Sequence, residues 1–129
     1  MLQVPVVSII DDDASIRTAT SRLVRSLGYV AYMFSSAEEF LKSPQIDTIS
    51  CVIADVQMPR MSGIELQDLL CSQNRHLPII FITAFPEDST RVRALDAGAV
   101  CFLAKPVDGP TLIKYIHGAV GKSAGGPGK

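Results

Sequence analysis

The stretch Ser50-Cys51-Val52-Ile53-Ala54-Asp55-Val56-Gln57-Met58-Pro59 decides how the chain is read. Residues 51–54 form a short apolar run containing Val and Ile, the pattern of a buried strand. The run stops at an acid. Pro59 and Gly63 then keep the following residues out of regular structure, so Asp55 stands too far from the next helix to cap it. A carboxylate at the exit of a buried strand is partly desolvated and free to accept something. It has the setting of a nucleophile or a metal ligand.

The same pattern recurs on either side. Residues 4–10 are apolar and end at Asp11-Asp12-Asp13, and 29–34, 78–83 and 100–103 read as three further strands. Helical patterns lie between them. Ile16, Thr20, Leu23, Val24 and Leu27 share one face, with Gly28 as the stop. Ser36 with Glu39 opens a short helix through about Lys42, and Ser62 with Glu65 opens one carrying Ile64, Leu69 and Leu70. Asp88 or Ser89 is expected to cap a helix through Val92 and Leu95, closed by Gly98. Pro110 sits just inside the last helix, whose buried side is Leu112, Ile113, Ile116 and Val120. Strands thus alternate with helices, and the strands are continuously apolar, as when helices cover both faces of a parallel sheet. The expected class is α/β.

Composition excludes several function classes. Hydrophobic residues make up 47% and charged ones 19%, which fits a globular chain and not a disordered one. A net charge of −1 leaves no basic footprint for nucleic acid on this chain itself. No apolar run approaches a membrane span, and no basic-then-apolar secretion signal opens the chain. The odd number of well-separated cysteines, Cys51, Cys71 and Cys101, reads as buried free thiols in a reducing cytosol. His76 and His117 fall near expected helix ends and are assigned no chemistry. Residues 1–121 are expected to form one domain, and 122–129 a Gly-rich tail or the start of an interdomain linker.

Polar residues at strand exits carry the chemistry: Asp11, Asp12 and Asp13, then Asp55, Thr83 and Lys105. In a parallel sheet all exits lie on one edge, and strand order 2-1-3-4-5 would place the crevice between the two strands that end in acids. Converging carboxylates repel unless a cation lies among them. A few carboxylates with room for water suit Mg²⁺ better than Ca²⁺. Asp55 can then act as nucleophile toward phosphorus, with Lys105 neutralising oxygens and Thr83 donating a hydrogen bond. Taken singly, each has a plainer use: Asp13 as helix cap, Thr83 as a strand residue, Lys105 as a solvated turn lysine.

From Val6 to Val120 the chain resembles the receiver domain of a two-component response regulator. The resemblance rests on Ser8-Ile-Ile-Asp11-Asp12-Asp13, on Ala54-Asp55-Val-Gln-Met-Pro59 with Met61-Ser62-Gly63-Ile-Glu-Leu66, on Pro78-Ile-Ile-Phe-Ile-Thr83-Ala84, and on Ala97-Gly98-Ala99 followed by Phe102-Leu-Ala-Lys105-Pro106. The wording is nearest the FixJ-like branch. The resemblance implies a flavodoxin-like (CheY-like) doubly wound sheet of five strands, order 2-1-3-4-5, with five helices. It implies phosphorylation of Asp55 by a sensor histidine kinase or a small phosphodonor. Asp12, Asp55 and the main-chain carbonyl of Gln57 would hold Mg²⁺ directly, and Asp11 through water. Lys105 would hold a phosphoryl oxygen ahead of a cis Lys105-Pro106 bond, and Ala84 would be small to admit the phosphate. Thr83 and Phe102 would switch together, remodelling the surface of helix four, strand five and helix five for dimerisation or output. A DNA-binding output domain outside this chain is implied.

The chain departs from the pattern at three points. Phe102 lacks a hydroxyl that many members carry, Phe85 is bulky where a hydrolytic water would approach, and Pro86 restricts the next loop. Gln57 and Phe85 are thereby expected to tune phosphoryl lifetime. A phosphohydrolase with an external substrate would need a second acid at Gln57, which cannot transfer the proton. A flavin site would not present three negative charges after the first strand. A receiver-like module that is never phosphorylated is the alternative reading.

Overall fold

A computed structural model describes residues 4–125 of the chain. Five strands, β1 (Val6–Ile10), β2 (Val30–Phe34), β3 (Cys51–Asp55), β4 (Ile79–Thr83) and β5 (Cys101–Ala104), form one parallel sheet in the order β2-β1-β3-β4-β5. The helices are α1 (Ala14–Ser26), α2 (Ala37–Leu41), α3 (Gly63–Ser72), α4 (Asp88–Asp96) and α5 (Gly109–Gly125). This is the expected flavodoxin-like, doubly wound arrangement.

The apolar runs are continuous because both faces of the central strands are covered. Every residue of β3 and β4 is buried. Alternation along the strands divides the core in two. Ile10, Val52, Ala54 and Phe81 point toward Phe40 of α2, Leu66 and Leu70 of α3 and Ala94 of α4. Val7, Ile9, Ile53, Ile80 and Ile82 point toward Val24 of α1 and Leu112, Ile116 and Ala119 of α5. β2 is an edge strand and is only partly covered, with Val30 and Met33 exposed.

Helix starts follow side-chain chemistry. The Asp13 carboxylate accepts the Ser15 and Ile16 N–H groups and caps α1. Ser62 and Glu65 form a complete capping box on α3. At α2 only half of the expected box forms: Ser36 accepts the Glu39 N–H, but the Glu39 carboxylate reaches back to Ser35 N–H. Gly28 and Gly98 follow the ends of α1 and α4 with φ of 87° and 102°, conformations that favour glycine.

Several expectations are corrected. The first strand begins at Val6, not residue 4, and Val4 is exposed. Gly63 is not a loop residue but the first residue of α3. Neither Asp88 nor Ser89 caps α4: the helix starts at Asp88 behind Glu87, with no side-chain cap. Val92 and Leu95 are exposed, and the residue α4 buries is Ala94. Leu69 is only half-buried. Cys71 is exposed, since it lies on the outer face of α3. Cys51 and Cys101 are buried, and burial pushes both thiols up to about 12. His76 lies in the loop after α3 bonded to Asn74, and His117 is mid-helix in α5, its Nδ1 2.8 Å from the Tyr29 hydroxyl. A 3₁₀ turn at Ile46–Thr48 carried no recognisable sequence signal. Backbone helix in α5 runs to Gly125, past the expected start of the tail; residues 126–129 lie outside the described residues.

Candidate functional site

β1 and β3 are adjacent, so the acids that end them meet at one edge of the sheet. One oxygen each from Asp11, Asp12 and Asp55 lies within 4.8 Å of the others. Asp11 Oδ1 accepts the Asp13 N–H at 2.9 Å, and Asp55 Oδ1 accepts the Gln57 N–H at 3.0 Å. These bonds orient both carboxylates and leave each Oδ2 directed inward. Lys105 Nζ stands between them, 3.0 Å from Asp11 Oδ2 and 2.9 Å from Asp55 Oδ2. Asp11 and Asp55 are 0% and 5% exposed, whereas Asp12 faces solvent.

β5 delivers the lysine. The Lys105 N–H donates to Thr83 O at 2.8 Å, and the Lys105-Pro106 peptide is cis. Burial opposes the ammonium charge, but the hydrogen bond Lys105 donates to Asp55 and the close carboxylates of Asp55 and Asp11 outweigh it and raise the Lys105 pKa. Burial also raises the Asp11 carboxyl, more than the Asp13 N–H and Lys105 lower it, and the Asp55 charge adds to the rise. When ionised, three carboxylates against one ammonium leave two negative charges in a largely buried space. Asp11 Oδ2 receives no aligned hydrogen bond among the described residues. The deficit and the hard oxygen donors fit a divalent cation such as Mg²⁺.

Thr83, the last residue of β4, is fully buried, and its Oγ1 accepts the Phe85 N–H at 3.1 Å. Ala84 is exposed, and Phe85 is 64% exposed. Gln57 is exposed and contributes its main chain to the Asp55 turn. Phe102 is not among the acids. It lies half-buried on the α3–α4 side of the sheet, its ring centroid 6.4 Å from that of Phe81.

Two residues at the site escape the sequence reading. Arg17, on α1, donates from Nη1 to the Asp11 main-chain carbonyl at 2.7 Å and braces the acidic loop. Nothing in the sequence separates it from a surface arginine. Gly63 approaches β3 so closely that a Cβ would lie 2.5 Å from Asp55 O. Its signal was legible, because glycine is a poor choice just inside a helix.

The family model described as the response regulator receiver domain matches residues 7–117. The chain belongs to that family. Nodulation protein W of Bradyrhizobium diazoefficiens is 40% identical to this receiver domain over 114 residues, 88% of the chain and 50% of the relative. The transcriptional regulatory protein FixJ of the same organism is 35% identical over 112 residues, 87% of the chain and 55% of the relative. Among solved structures, the response regulator StyR superposes with a TM-score of 0.85 at 38% identity, covering 92% of this chain and 60% of that one. FixJ-N superposes with a TM-score of 0.80 at 31% identity, covering 92% and 95%. The receiver domain spans about half the length of the curated relatives it matches. Among the described residues no helix is long and apolar enough to cross a membrane.

Proposed function

We propose that this receiver domain, working in the cytoplasm, takes a phosphoryl group onto Asp55 from the phosphohistidine of a sensor histidine kinase, or from a small phosphodonor. The observation that carries this reading is the single ammonium of Lys105 shared by Asp11 and Asp55 at 3.0 and 2.9 Å, beside Asp12. An Asp55 oxygen attacks phosphorus, the P–N bond breaks, and the imidazole leaves with the electron pair. Asp12, Asp55 and the Gln57 carbonyl would hold Mg²⁺, with Asp11 acting through water. When bound, the ion neutralises phosphoryl oxygens and the nucleophile's neighbours. Lys105 then has an incoming oxygen to hold in place of its second carboxylate, and the small side chain of Ala84 leaves room for it.

The polar contacts at β4 support a switch. Thr83, whose Oγ1 now accepts the Phe85 N–H, would move to donate its own hydroxyl proton to a phosphoryl oxygen. Its departure makes space for Phe102 to turn inward, altering the surface of α4, β5 and α5 on which a homodimer or an output domain would assemble. The receiver extends through the end of α5 at Gly125, beyond the expected boundary at 121, and a DNA-binding output domain lies elsewhere in the full protein. The chain is a phosphoacceptor and not an enzyme with an external substrate.

Beryllofluoride with Mg²⁺ should raise the melting temperature of the wild type and leave Asp55→Ala unmoved. An equal response in the variant, or none in either, contradicts the assignment. Phe85 is bulky at the position where the family resemblance puts the approach of a hydrolytic water, and Gln57 offers no base, so phosphate loss should be slow. Phe85→Ala should dephosphorylate several-fold faster, and an unchanged rate would remove Phe85 from lifetime control.

A further inference from the structure

α4 is lightly seated. Its one buried residue is Ala94, while Val92 and Leu95 face solvent. Its ion pair to α3, Arg93 with Asp68, joins side chains that are 61% and 51% exposed, so solvent screens it. Besides the packing of Ala94, a buried tie to α4 comes from Gln67 of α3. Its side chain is buried, and Nε2 donates to the Ala94 carbonyl at 3.0 Å. The same carbonyl already accepts the Ala99 N–H at 3.0 Å. The other half of the amide has no such arrangement: among the described residues Gln67 Oε1 is buried without a hydrogen-bond partner.

We propose that Gln67 is a positioning residue for α4, tying it to α3 through one hydrogen bond while its unpaired carbonyl oxygen makes the seated position costly. A net hydrogen bond gains less than a sealed, unpaired acceptor loses. Removing the amide would not orphan Ala94, because the Ala99 N–H stays. Gln67 therefore loosens α4 on balance. A cavity of about 430 Å³ beside it, lined by Gln67, Leu70, Cys71, Ala97, Gly98 and Ala99, gives water a route to Oε1 once the seam opens. Displacement of α4 satisfies the oxygen and lowers the cost of the switched state. This use of the residue in signalling rests on the phosphoacceptor reading.

Hydrogen exchange of the full chain as wild type, Gln67→Met and Gln67→Leu tests the assignment. Both variants keep the volume and drop the amide, and either suffices if the other fails to fold. The α4 amides should exchange at least about fivefold more slowly in a variant, measured relative to those of β1 and β3. Equal slowing throughout the chain would make Gln67 an ordinary core residue and overturn the proposal, as would unchanged or faster exchange in α4. With Mg²⁺ and beryllofluoride, α4 exchange should change less in the variants than in the wild type, while phosphoryl uptake at Asp55 is the same. An equal change overturns the coupling. No response in the wild type would count against the phosphoacceptor reading, and the exchange comparison without ligand would still decide the role of Gln67.

Discussion

Asp11 shows how one residue trades stability for chemistry. Its carboxyl is fully buried beside Asp55, and burial raises its pKa above the ordinary 3.8. Between 3.8 and that raised value the folded chain binds more protons than the unfolded one, so this group's contribution to stability falls as pH rises through the window and stays lower above it. Asp11→Asn should therefore raise the melting temperature of the metal-free protein at pH 7, with the gap closing as the pH falls toward 3.8. The same variant should bind Mg²⁺ about tenfold more weakly or worse. Thermal denaturation with and without the ion reads both effects. A less stable variant at neutral pH would mean that its pairing with Lys105 outweighs the burial of its charge.

The element that sets the site's geometry is the entry to α3. Gly63 donates its N–H to Val56 O at 2.8 Å while its Cα sits against the Asp55 carbonyl. Alanine there would gain roughly 1 kcal/mol of helix propensity. The clash at 2.5 Å is with backbone, which cannot swing aside, so steric cost wins. Gly63→Ala should lose about 1–3 kcal/mol in urea denaturation, and an unchanged midpoint would show that the α3 entry shifts freely. This element also marks what sequence can and cannot reveal. β3 and β4 were legible because burial on both faces demands unbroken apolar runs, and the acids were legible because they end such runs. α4 was misread because Val92 and Leu95, which look like a core face, point to solvent, and burial falls to a single alanine. Arg17 and Gln67 bond to main-chain carbonyls, a contact that any sequence position can make and no pattern records.

Across the whole molecule, topology accounts for the site. The order β2-β1-β3-β4-β5 places β3 between β1 and β4, so Asp11, Asp12, Asp55 and Thr83 arrive at one edge, and β5 adds Lys105 from the far side. None of these side chains is unusual alone. Parallel pairing turns residues spread from position 11 to position 105 into one charged pocket, backed by helices on both faces of the sheet. The test of that pocket as a phosphoacceptor is the intact mass of the protein after incubation with acetyl phosphate, with and without Mg²⁺. The predicted result is the gain of one phosphoryl group, mapped to Asp55 and dependent on Mg²⁺. No gain, or a gain that persists in Asp55→Ala, would contradict it.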